Sequence, residues 1–291
     1  MKFLSLVLAL TLTLSSSAFA CSEDGSTGII EENSIRIPVG AKFAGGISEA
    51  EFNKVINDLE VIYVPVAKKM GGTLTINRLW TNETANANAT RMGSAWTVNM
   101  YGGLARHAAM TADGFSLVLC HEIGHQMGGA PKTNAMLGLM KWASNEGQSD
   151  YWATTKCLRT LFWNDNNQQI VKSLNAPASL VAGCAKAHPN KDEAAICVRG
   201  GMAGASVAGF FAAARKENPS KFETPVTTKV TKTNHSHPAT QCRLDTYFQG
   251  AMCEKAHTED VSQSDEVKGT CHSFTGQTVG TRPLCWFKPA K

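Results

Sequence analysis

Two histidines and a glutamate within five residues, His121-Glu122-Ile123-Gly124-His125, lie in a segment with few ways to fold. The apolar run Ser116-Leu117-Val118-Leu119-Cys120 leads into them, Asp113 can cap the start, and Gly128-Gly129 followed by Pro131 closes the end. Residues 114–127 are therefore expected to form a helix. Residues four apart on a helix project from one face, a turn apart, so the imidazoles of His121 and His125 can reach a single zinc ion. Glu122 falls beside them, where a carboxylate can take a proton from a metal-bound water and pass it to a leaving amine. Gly124 lets another backbone approach the motif closely.

Zinc in a hydrolase usually takes three protein ligands and leaves a fourth position for water. In the metzincin pattern a glycine three residues after the second histidine precedes a third histidine. Gly128 fits that pattern, but Pro131 stands at the ligand position and excludes it. The gluzincin pattern takes a glutamate from a following helix, and Asn145-Glu146-Gly147-Gln148-Ser149-Asp150 resembles the N-E-x-x-S-D element of thermolysin-like enzymes. That resemblance implies Glu146 as the third ligand. It implies Asp150 as the carboxylate that accepts a hydrogen bond from a ligand histidine and orients it. An exposed acidic helix start, favoured by the helix dipole, would show the same two residues; their spacing from the histidines favours the ligand reading.

Two more segments resemble the CAAX prenyl endopeptidases and heat-shock membrane proteases. Residues 86–104, NANATRMGSAWTVNMYGGL, are similar to that family's N-A-F-A-T-P-G-G stretch with its following strand, although Asn88, Arg91 and Met92 depart from it. The resemblance implies that Asn86, Ala87, Asn88 and Ala89 form an edge strand beside the metal, to which a substrate peptide adds through backbone hydrogen bonds. His237-Pro238 with Arg243 resembles the family's H-P-x-x-x-x-R element. It implies that His237 stabilises the oxyanion and that Arg243 orders that wall of the site; a surface turn before Pro238 is the other reading of His237.

The expected fold is α+β and, by resemblance, zincin-like. A small upstream sheet accompanies the active-site helix, and a mainly helical lower part and a disulfide-stapled tail follow. Residues 48–70 carry Phe52, Val55, Ile56, Leu59 and Ile62 at helical spacing, with Pro65 as a kink or a break. TLTINRLW and SAWTVNMY alternate as strands, and helices are expected from NEGQSDYWATTKCLRTLFW and KDEAAICVRGGMAGASVAGFFAAARK. The glycine- and alanine-rich 200–214 is too short for a bilayer span and reads as a closely packed buried helix. The domain reading is a leader over 1–20, the metallopeptidase over 21–254 and a cysteine-rich tail over 255–291.

The first twenty residues combine Lys2, an apolar run and the ending Ala18-Phe19-Ala20, as an export signal does. Cleavage there and lipidation at Cys21 are both open. Cys21 aside, eight of the nine cysteines remain, an even number that suits disulfides in an oxidising compartment. Cys271 and Cys285 are expected to tie back to Cys242 and Cys253, while Cys120 reads as a small buried hydrophobe. The +4 formal charge has no basic run behind it, so nucleic-acid binding is not expected. The sequence thus points to a zinc endopeptidase acting on proteins or peptides. It would work in the bacterial periplasm, as an outer-membrane lipoprotein or secreted, with no transmembrane span in the mature chain. The alternative is a catalytically silent, zinc-stabilised peptide-binding or chaperone-like module.

Overall fold

Ser48 and Glu51 cap the first helix, α1 (Glu49–Lys69), reciprocally: Ser48 Oγ accepts from the Glu51 amide and the Glu51 carboxylate from the Ser48 amide. The computed structural model describes residues 18–19, 28–41, 45–133 and 142–289, so the expectations for Cys21 and for most of the leader fall outside it. Phe52, Val55, Ile56 and Leu59 are buried along α1, and Tyr63 and Ala67 continue the stripe, with Ile62 half-buried at its side. Pro65 lies within the helix, which runs on to Lys69 without a break.

The sheet follows. Its strands are β1 (Ala18–Phe19), β2 (Thr73–Leu79), β3 (Ala87–Met92) and β4 (Ala95–Tyr101), in the order β1-β3-β4-β2. β2 and β4 are parallel, with Thr73 opposite Ala95 and Leu79 opposite Tyr101; β3 is antiparallel to β4. The two-residue β1 lies antiparallel on the outer side of β3, opposite Thr90 and Arg91. Strand alternation sends Leu74, Ile76, Ala87, Ala89, Trp96, Val98 and Met100 into the core.

After a single turn, α2 (Gly102–Ala105), the helix α3 (Ala112–Met127) carries the histidine motif. Its cap is Thr111, whose side chain accepts from the Gly114 amide, and not Asp113, which lies in the first turn and pairs with Arg199 at 2.7 Å. Every residue from Gly114 to Met127 is buried. A helix covered on all sides needs no polar stripe, which is why Leu117-Val118-Leu119-Cys120 before the motif are all apolar.

The lower part is helical: α4 (Glu146–Trp152), a π-helical turn (Ala153–Cys157), α5 (Leu158–Phe162), α6 (Asn167–Ile170), α7 (Ala178–Ala187), α8 (Lys191–Arg215) and α9 (Thr240–Met252). The helix expected after the loop is thus interrupted by the π turn. By length and composition α8 is apolar enough to cross a membrane, but 67% of its most apolar window is buried inside the protein. Its small residues admit α9, as at Gly204, where an added Cβ would lie 2.8 Å from Tyr247.

Four disulfides form among the described residues. Cys242–Cys285 and Cys253–Cys271 bind the largely irregular tail to α9, as expected, and Cys184–Cys197 joins α7 to α8. The reading of Cys120 is corrected: it bonds Cys157, so α3, one residue before His121, is stapled to the π turn that follows α4. Replacing both Cys120 and Cys157 by alanine is expected to lower the unfolding free energy by ~2–4 kcal/mol. Urea titration checks this; an unchanged midpoint would show that the bridge adds nothing.

Candidate metal centre

Asn145 turns the chain into α4 by accepting from the Gln148 amide, and this places Glu146 at the helix start, facing His121 and His125 on α3. An added Cβ at Gly124 would lie 3.2 Å from Ser149 Cα, so the close backbone approach expected there is made by α4. One donor atom from each of His121, His125 and Glu146 lies within 4.8 Å of the others, and all three side chains are buried. His121 Nε2 is 3.2 Å from Glu146 Oε2, and His125 Nε2 is 3.7 Å from Oε1. Ligand atoms about 2.0–2.1 Å from a tetrahedral ion stand about 3.3 Å apart, so the cluster is sized for one. His121 Nε2, Glu146 Oε2 and both Glu122 oxygens are buried without a well-formed hydrogen bond. Buried polar atoms are rarely left so; a cation among them would satisfy the ligand atoms, and the residues fit a metal ion.

The outer ring nitrogens are fixed. His125 Nδ1 meets the Ser144 carbonyl at 2.8 Å. A carbonyl only accepts, so Nδ1 carries the proton and Nε2 keeps its lone pair for the centre. Burial pushes the His125 pKa down to about 4, which keeps the ring neutral. His121 Nδ1 meets Asp150 Oδ1 at 2.7 Å. Burial would depress this ring too, but the carboxylates of Asp150 and Glu146 outweigh it and push its pKa up to about 9. Burial also opposes charge on Glu146, yet His237, His125 and His121 hold its carboxylate well below the usual range. Glu122 is pushed up to about 7, chiefly by burial.

Asp150 is gripped from behind. Arg243 donates to both of its oxygens at 2.8 Å and stacks on Phe211, and the Tyr247 hydroxyl donates to Oδ1 at 2.8 Å. Tyr247 carried no motif, although its place four residues after Arg243 on α9 puts both on one face. His237 also reaches the centre, its Nε2 lying 3.2 Å from Glu146 Oε2, while Nε2 donates to the Gly28 carbonyl at 2.8 Å.

The residues expected at the substrate edge divide. Asn86 precedes β3 and donates to the Ile30 carbonyl at 3.1 Å, and the Ala87 carbonyl accepts from the Ile29 amide at 2.9 Å. Asn88 turns its amide to Asn99 and Tyr101, and Ala89 is buried in the core. Gln126, one residue past the motif and unmarked in the sequence, donates to the Thr90 carbonyl at 3.0 Å and ties α3 to β3. The tail covers the ligand helix: an added Cβ at Gly147 would lie 2.2 Å from the Trp286 ring, and Arg282 donates to Gln148 Oε1 at 3.0 Å.

The raised pKa of His121 gives a pH dependence. In the metal-free protein its pairing is fully stabilising below the unfolded value of 6.5 and is lost as pH rises through about 9. About 3 kcal/mol of this contribution should disappear across that interval, read as a falling urea midpoint. Metal-loaded protein, in which Nε2 is a ligand and bears no proton, should keep a level midpoint. A level midpoint without metal would show that His121 is neutral there.

Compared with models of known protein families, with curated proteins and with solved structures, the chain matches none of them.

Proposed function

We propose that the chain is a zinc-dependent endopeptidase of the gluzincin kind, with zinc held by His121, His125 and Glu146. The observation that carries this reading is the buried triad with the Glu122 carboxylate one residue away, both of whose oxygens are buried without a hydrogen bond. Two imidazoles and a carboxylate suit zinc, which when bound lowers the pKa of a water to about 7 and polarises a carbonyl. Glu122, itself near 7, is matched to hold that proton and hand it to the leaving amine. His237 Nε2 already donates to a peptide carbonyl, the interaction an oxyanion would strengthen. Arg243 and Tyr247 hold Asp150, and Asp150 holds the His121 ring.

A protein substrate would lie along β3 near Ala87. Four disulfides fit an oxidising compartment and, with the leader, support a protein of the bacterial envelope or outside the cell, anchored at Cys21 or soluble. Metal-free protein reloaded with zinc should bind about one ion per chain and cleave an unfolded protein, with both lost to a chelator and regained on adding zinc. A catalytically silent peptide-binding module is favoured by one observation, the peptide segment already seated at His237. It expects the same zinc content but no new termini from a broad peptide library, and that result would displace the peptidase.

A further inference from the structure

Residues 28–31 run beside the centre, their backbone groups held by residues at or next to it. The Gly28 carbonyl accepts from His237 Nε2, the nitrogen that lies 3.2 Å from Glu146. The next amide, that of Ile29, donates to Ala87 on the sheet edge; the Ile29 carbonyl accepts from Arg243 and the Ile30 carbonyl from Asn86. Arg215 then clamps the Glu31 carboxylate at 2.7 and 2.9 Å. A peptide bond awaiting hydrolysis needs its carbonyl oxygen on a donor that will stabilise the negative charge developing there, and its nitrogen held in place. Gly28–Ile29 has both. Position 28 also requires glycine, because its φ is +100° and a Cβ would lie 2.2 Å from the Ala87 carbonyl oxygen. Beyond the bond, Ile29 and Ile30 are buried in the main core, so the chain on that side is anchored.

Resting on the peptidase reading above, we infer that the Gly28–Ile29 bond is the enzyme's own first substrate. One water is consumed: its oxygen bonds the Gly28 carbonyl carbon, the C–N bond breaks, and both of the water's protons reach the leaving nitrogen by way of Glu122, so that Gly28 ends as a carboxylate and Ile29 as an ammonium. The cut detaches everything before Ile29, Cys21 included, from the folded enzyme. A charged amine at Ile29 is poorly tolerated where that residue is buried. The new end therefore tends to leave Ala87, which opens the edge of β3 to other peptides.

The test uses chain purified without metal and with the residues before Gly28 intact, then given zinc and followed by intact mass and N-terminal sequencing. The expected product begins Ile29-Ile30-Glu31, and its rate constant is the same over about a tenfold range of protein concentration, as for an intramolecular cut. Glu122→Gln should take up zinc and stay whole. Independently of turnover, the Ile29 amide of the metal-free protein should exchange with solvent at least ~100-fold more slowly than in an unfolded peptide. A terminus elsewhere, or a freely exchanging Ile29 amide, overturns the inference. Zinc-loaded chain that digests an added unfolded protein while remaining intact also overturns it and leaves the peptidase reading standing; zinc-loaded chain that cuts neither overturns both.

Discussion

On the proposed zinc-peptidase reading, Glu122→Gln is expected to slow hydrolysis of an unfolded protein by ~10²–10⁴-fold while zinc stays bound, because the amide keeps the shape of the carboxylate but cannot hold the proton. Its fold should not suffer. Glu122 is fully buried, neither oxygen has a hydrogen bond to lose, and its pKa is raised chiefly by burial, so a neutral group relieves a desolvation cost. Zinc content and initial rates measured side by side check the claim; equal rates in the two proteins would remove Glu122 from the mechanism.

The second large effect is on stability. Arg243→Met leaves Asp150 fully buried with its two guanidinium hydrogen bonds gone, and the loss is expected to be ~3–5 kcal/mol by urea unfolding. Zinc affinity should fall as well, by ~10–100-fold, because Asp150 would no longer hold the His121 ring in one orientation. Asp150→Asn in the Arg243→Met background should cost less than either change predicts alone, since it removes the stranded charge. A single-variant loss below about 1 kcal/mol would show that the pair does not support the centre.

What could be read from the chain divides by sequence distance. His121, Glu122 and His125 are legible because helix geometry dictates their shared face, and Glu146 with Asp150 through the resemblance of residues 145–150 to the N-E-x-x-S-D element at its spacing from the histidines. His237 and Arg243 were legible only through resemblance, since no local period connects α9 to α3. Tyr247 shares Arg243's face, but no motif marks it. The contacts of Gly28 with His237 and of Trp286 with Gly147 join segments far apart in the chain, and nothing in either segment announces its partner. Smaller misses have local causes: Thr111 outcompeted Asp113 as a cap because Asp113 had Arg199 to pair with, and Cys120 met Cys157 across the π turn.

The tail's position over the ligand helix has a consequence for timing. A chain made from its N-terminal end presents His121, His125 and Glu146 well before Trp286 and Arg282 follow. During that interval Glu146 lacks the cover that the tail supplies, and on the zinc reading proposed above an ion would enter freely. Once Cys242–Cys285 and Cys253–Cys271 close, Trp286 is held against Gly147 and Arg282 against Gln148. On the same zinc reading, oxidation of the last cysteines would act as a latch on metal exchange, setting how long an ion resides as well as how firmly the chain is folded.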